Sequence, residues 1–262
     1  MQKHAFHLVD PSPWPIMASL GLMGFTTGLV GWFQGFHYGS MLSLFSFTCI
    51  LYVSVVWWRD VLRESVFQGH HTKSVQKGIM MGMILFILSE VMLFFGVFWA
   101  FAHASLAPSI DICAVWPPRG IDVLDPFGIP FLNTLILLTS GASVTWAHYA
   151  LLTGQNKQTL ISLGITIALA AVFTAFQGYE YTSASFTISD SVYGSCFYLL
   201  TGLHGAHVIV GTLFLSVCLA RAYYCQLRPD HHLGFELAAL YWHFVGATAR
   251  LLFVILTKCW LI

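Results

Sequence analysis

Glu90 is the residue most at odds with its neighbours. Leu88, Ser89, Val91 and Met92 flank it, with Phe94 and Phe95 a turn beyond, and it lies ~18 Å into its apolar run at about 1.5 Å per residue. A charge at such depth costs several kcal/mol unless it is paired, neutral or turned to a polar cavity. Two readings follow: a neutral carboxylic acid bonded to a neighbouring helix, or a carboxyl that handles protons or reacts. Glu180 and Glu236 fall near the ends of their runs, where water or headgroups reach them, so they carry less weight.

Twelve histidines raise the question of metal. His204 and His207 stand one helical turn apart near mid-span. His70, His71, His148, His231 and His232 fall towards one side of the membrane, and His103 towards the other. Membrane di-iron enzymes cluster their histidines in boxes, and b-type haem needs facing pairs on two helices. Neither pattern occurs, and the expectation is no metal in this chain. G-x-x-x-x-G-K-[ST], G-x-G-x-x-G and a nucleophile elbow are all missing from the sequence.

A third set is basic. Arg59 and Arg63 share a helical face, and Glu64, His70, His71, Lys73 and Lys77 follow them, beside the pair Trp57 and Trp58. Cations so placed attract phosphate headgroups at about 1 kcal/mol each. A solvated loop would carry the same charges.

The elements that position these residues are apolar runs. Charged residues make up 8% of the 262 residues and hydrophobic ones 57%, too little charge to cover a soluble domain. Lys plus Arg equals Asp plus Glu at 11 each, which excludes nucleic-acid binding through a basic surface. Seven runs reach about 20 residues, enough to cross a hydrocarbon core as helices: 16–33, 41–58, 78–101, 129–152, 159–178, 191–220 and 237–256. They lack the period-two polarity of barrel strands. The fold class is all-α, polytopic, with seven transmembrane helices.

Orientation follows from the cations. With the N-terminus inside, inner segments hold eight of them (Lys3, Arg59, Arg63, Lys73, Lys77, Lys157, Arg221, Arg228), outer segments hold Arg119 and Lys258, and Arg250 lies within the last span. The long outer stretch 103–128 is Pro-rich and shows little that would order it. Gly24 and Gly28, and Gly78 and Gly82, have the spacing that lets helix backbones approach. Trp57, Trp58, Trp242 and Trp260 fall near span ends, where such rings anchor at headgroups. Six scattered cysteines signal no disulfide framework. No secretory or mitochondrial targeting segment is read at the N-terminus, so residence in a mitochondrion would imply synthesis inside it.

Several longer strings carry a resemblance. His7-Leu-Val-Asp-Pro-Ser-Pro-Trp-Pro15, Trp57-Trp-Arg-Asp-Val-Leu-Arg-Glu-Ser65, Gly69-His-His-Thr72, Ser89-Glu-Val-Met92, Trp116-Pro-Pro118, Phe186-Thr-Ile-Ser-Asp190-Ser-Val-Tyr-Gly-Ser195 and His231-His-Leu-Gly-Phe-Glu236 closely resemble the cytochrome c oxidase subunit III family, in order, from His4 to Val245. One departure stands out. After Tyr241-Trp-His-Phe-Val245 the family usually continues with an Asp and a Trp-Leu-Phe run, whereas this chain reads Gly246-Ala-Thr-Ala-Arg250-Leu-Leu-Phe253.

The resemblance implies a core subunit of a haem-copper oxidase that itself holds no haem or copper and has no catalytic centre; haem a and copper belong to partner subunits. It implies a two-helix plus five-helix arrangement, here 1–58 and 78–262 joined by the basic connection 59–77, with phospholipids bound between the bundles. Carried over, the lipid positions are Trp58, Arg63, Glu64, His71 and Arg221. Glu90 matches a buried carboxyl that supports proton uptake by the catalytic subunit and slows inactivation during turnover. The implied partners are oxidase subunits I and II, other oxidase subunits, membrane lipids and a respiratory supercomplex. The implied location is the mitochondrial inner membrane with the N-terminus on the matrix side. A membrane carrier using Glu90 and His204, or a histidine-ligated redox protein, are the readings left beside it.

Overall fold

The computed structural model describes residues 4–261, with side chains described as far as Ile255. The helices are α1 (Trp14–Phe33), α2 (Gly39–Val66), α3 (Lys73–Leu106), α4 (Ile129–Leu152), α5 (Asn156–Ser183), α6 (Ser191–Tyr223) and α7 (Leu233–Leu261). No strand is present among the described residues, and all seven helices are long and apolar enough to cross a membrane. Lys3 and the side chains of Lys258 and Trp260 lie outside the described residues.

Several helices outrun their apolar runs. α3 has 34 residues, about 51 Å, against a core of about 30 Å. Its polar turns extend the helix because nothing there breaks it. α2 likewise continues through Arg59, Arg63 and Glu64 to Val66, so only residues 67–72 of the basic connection leave the helices.

The chain forms two compact units, one running to Ile79 and the other from Met80. In the first, α1 and α2 pair as a hairpin. A Cβ on Gly28 would sit 2.5 Å from the Ser43 backbone nitrogen and 2.8 Å from its Cα, so the two backbones pack at a distance only glycine permits. At Gly24 a Cβ would instead meet a side chain, the Ser46 hydroxyl at 2.5 Å, whereas nothing lies within 4 Å of a Cβ at Gly78 or Gly82. The packing reading therefore holds for the first glycine pair and not, within this chain, for the second.

One end of this hairpin is stitched by polar contacts. Trp14 Nε1 donates to Asp60 Oδ2 at 2.9 Å. The Thr72 hydroxyl donates to the Ala5 carbonyl at 2.6 Å, and the His7 and His70 rings stack at 4.5 Å.

In the second unit α4 packs on α5 and α7, and α6 on α5 and α7. The core holds Leu137, Val144, Leu163, Val208, Leu215 and Val245, with Phe94 and partly buried Ile87 and Phe98 brought to it by α3. Small hydroxyls bridge the helices: Ser143 and Thr166 lie 2.7 Å apart, linking α4 to α5. Trp242 is a correction to the sequence reading. It lies in the core at 1% exposure rather than at a headgroup layer, and its Nε1 donates to Ser140 Oγ at 3.0 Å. Ten residues into α7, its ring fills the space that Gly211 leaves; a Cβ there would be 2.9 Å from Cε3.

The long connection 107–128 is a second correction. Trp116 is buried among Phe101, Phe186, Tyr193 and Phe197, with its ring 5.6 Å from Phe101 and 5.5 Å from Tyr193. Aromatic burial pins the loop to the ends of α3 and α6. These residues come from three distant stretches of sequence, which is why the loop looks unordered in the string.

Candidate functional site

Glu90 is held on α3 and is not surrounded by hydrocarbon alone. Its Oε2 lies 3.3 Å from His207 Nε2 on α6, with side-chain exposures of 18% and 12%. His207 Nδ1 lies 2.7 Å from the Tyr241 hydroxyl on α7. Phe94 and Phe244 wall the imidazole at ring distances of 5.2 and 6.2 Å. The result is a carboxyl, an imidazole and a phenol in line across three helices, largely screened from solvent. An imidazole bonded at both nitrogens relays a proton by exchanging tautomers, so the arrangement can hold and pass a proton. An isolated buried carboxylate could not be kept at this depth without such a partner.

Sequence reasoning placed His204 and His207 together by their spacing, and the structure separates their tasks. His204 is buried at 4% exposure, and its Nδ1 lies 3.2 Å from Thr248 Oγ1 on α7, with Phe173 edge-on at 5.8 Å. His207 turns to α3 instead. The pair converges on no common ligand point, and neither belongs to a three-residue metal-ligating cluster among the described residues.

Glu180 is more enclosed than its position near a span end suggested. At 4% exposure it lines a small, partly open pocket with Asn133, Gln177, Thr201 and His204. Asn133 Nδ2 and Oδ1, Gln177 Nε2 and His204 Nε2 make no hydrogen bond there among the described residues. The sequence signal for it is the set of polar side chains Asn133 on α4, Gln177 and Glu180 on α5, and Thr201 and His204 on α6.

The basic set divides between the units. On α2, Trp58 is 68% exposed. Arg63 has an exposed side chain, 3.8 Å from Asp60, whose carboxylate is held chiefly by Arg59 at 2.9 Å. Glu64 lies 3.9 Å from His7 Nδ1, and His71 is half-buried in the 67–72 link. In the second unit Arg221 is half-buried at the end of α6. Its guanidinium runs over Gly234 at the start of α7, where a Cβ would come within 2.6 Å. Arg63 is thus the freest of these groups to take a phosphate.

One cluster escaped the sequence reading entirely. His148, His232 and Glu236, read separately because 84 positions divide the first two, meet where α4 ends and α7 begins.

The comparisons with known proteins agree with one another. The family model for cytochrome c oxidase subunit III matches residues 4–261. The chain is similar to the cytochrome c oxidase subunit 3 of Prototheca wickerhamii, 59% identical over 254 residues covering 97% of each chain. It is 59% identical over 253 residues to that of Arabidopsis thaliana, covering 97% of this chain and 96% of the relative. That of Chondrus crispus is 55% identical over 254 residues, covering 97% of this chain and 93% of the relative.

Proposed function

Because this chain belongs to the cytochrome c oxidase subunit III family, we propose that it is the non-redox core subunit of a mitochondrial cytochrome c oxidase, supporting proton uptake and holding phospholipid beside the catalytic subunit. As a family member it is a multi-pass subunit of an oxidoreductase complex. Haem a and copper then belong to partner subunits I and II, and this chain supplies no catalytic centre. Its place is the inner membrane with the N-terminus facing the matrix, a reading supported by the eight-to-two division of cations.

The observation that carries the proton role is the line from Glu90 through His207 to Tyr241. Along that line a proton can pass between the Glu90 carboxyl and the His207 imidazole. A hydrophobic carbodiimide applied to the purified oxidase tests this directly, because such reagents attack protonated carboxyls in apolar surroundings. Glu90 is expected to be modified in preference to the loop residues Asp122 and Asp125. Faster modification of the two aspartates would count against it.

The lipid role rests on Trp58, Arg63, Glu64 and His71 at the end of α2 and in the 67–72 link, and on Arg221 at the end of α6. An arginine offers a planar fork to a phosphate, and an exposed tryptophan suits the headgroup layer. Glu64 contributes by fixing His7 over the link. At about 1 kcal/mol per cation, Arg63→Ala or Arg221→Ala is each expected to weaken phospholipid retention roughly fivefold while leaving insertion intact. Native mass spectrometry of the complex reads the lipid count. An unchanged count in both variants would leave the two arginines as plain orientation anchors.

A further inference from the structure

The cluster of His148, His232 and Glu236 lies outside the Glu90 line and has no part in it. Their ligand atoms fall within 4.8 Å of one another. His232 is 7% exposed, and its Nδ1 lies 3.1 Å from the Arg228 carbonyl oxygen. A carbonyl only accepts, so Nδ1 carries the proton and donates. In the neutral ring the lone pair then sits on Nε2. That atom is 3.1 Å from Glu236 Oε1, yet it makes no hydrogen bond among the described residues. A lone pair facing a carboxylate oxygen so closely is relieved by a proton or a metal ion between them, and a third donor beside the two suits the metal ion. His148 completes the face from α4, its ring 5.6 Å from that of His232.

The geometry points to a divalent zinc site formed by His148, His232 and Glu236 where α4 ends and α7 begins. Two imidazoles and a carboxylate with one position left to water is a recurrent zinc donor set. Ligands at 2.0–2.2 Å in a tetrahedron stand about 3.3 Å apart, a spacing His232 and Glu236 already match. The Nδ1–H bond to Arg228 fixes the tautomer and aims Nε2, as outer-shell carbonyls do for metal-bound histidines. The Glu236 side chain is 36% exposed and leaves an entry for the ion from the aqueous side. Zinc held here ties α7 to α4 through bonds that neither helix makes alone.

The test uses the purified oxidase complex, dialysed against chelator and then equilibrated with zinc at micromolar free concentration. Metal content per haem is read by mass spectrometry. The parent complex is expected to carry one zinc more than complexes bearing Glu236→Gln or His148→Asn, each of which weakens that zinc by tenfold or more. Equal zinc content and affinity in all three would overturn the assignment. Should a variant fail to assemble, the parent complex alone decides the matter. Diethylpyrocarbonate should modify His148 in the zinc-free complex and be blocked by zinc, and equal modification with and without zinc would overturn the site.

Discussion

Truncating Trp242 to alanine is expected to cost on the order of 3–5 kcal/mol, the range for removing a large buried aromatic side chain. The ring touches α6 where Gly211 leaves room, and it reaches α4 through its bond to Ser140, so its loss opens a cavity at the junction of three helices. In a membrane such helices associate by close packing and polar bridges rather than by hydrophobic transfer, which leaves little to close the gap. Trp242→Phe separates the two contributions. It keeps most of the volume and loses the N–H bond, for about 0.5–1.5 kcal/mol, since Ser140 Oγ still donates to the Leu137 carbonyl at 2.7 Å. Thermal melting of the purified complex should rank alanine well below phenylalanine. Equal midpoints for the two variants would show that volume is not what Trp242 supplies.

Glu90 carries the second large effect. Glu90→Ala leaves His207 without its partner on α3 in a site that is mostly closed, and a buried polar group left without its hydrogen bond costs about 1–3 kcal/mol. Glu90→Gln preserves shape and hydrogen bonding and removes only the exchangeable proton. The Gln enzyme is therefore expected to assemble and reduce oxygen, with slower proton uptake or fewer turnovers before inactivation. Oxygen consumption followed over extended turnover measures both. Complete loss of oxygen reduction in a fully assembled Gln enzyme would move Glu90 from a supporting role into essential catalysis.

The seven helices were legible because a membrane permits few solutions. A run of about 20 apolar residues must satisfy its backbone internally, and the string displays such runs directly. Glu90 was legible for the same reason, as a polar exception to a strong rule. Its acceptance depends on His207 and Tyr241, and that could not be read, because the three residues sit on helices whose relative rotation no one-dimensional pattern records. Trp242 was misassigned on similar grounds: a tryptophan near the end of an apolar run suits an interface or a core equally, and only Gly211 on α6 decides between them. Trp116 and the trio of His148, His232 and Glu236 depend on contacts across tens of residues. No local spacing announces those.

The stitched end of the first hairpin bears on biogenesis. Thr72 reaches back to Ala5 across 67 positions, and His70 lies on His7, so the N-terminal segment gains its contacts only after both α1 and α2 have been made. A nascent chain that has just released residues 70–72 can close its first two helices into a finished pair. Glycine packing joins them along their length, and the bonds from Trp14 to Asp60 and from Thr72 to Ala5 fasten them at one end. All the contacts that close this pair lie within residues 5–72, so none of them waits for a helix that follows α3.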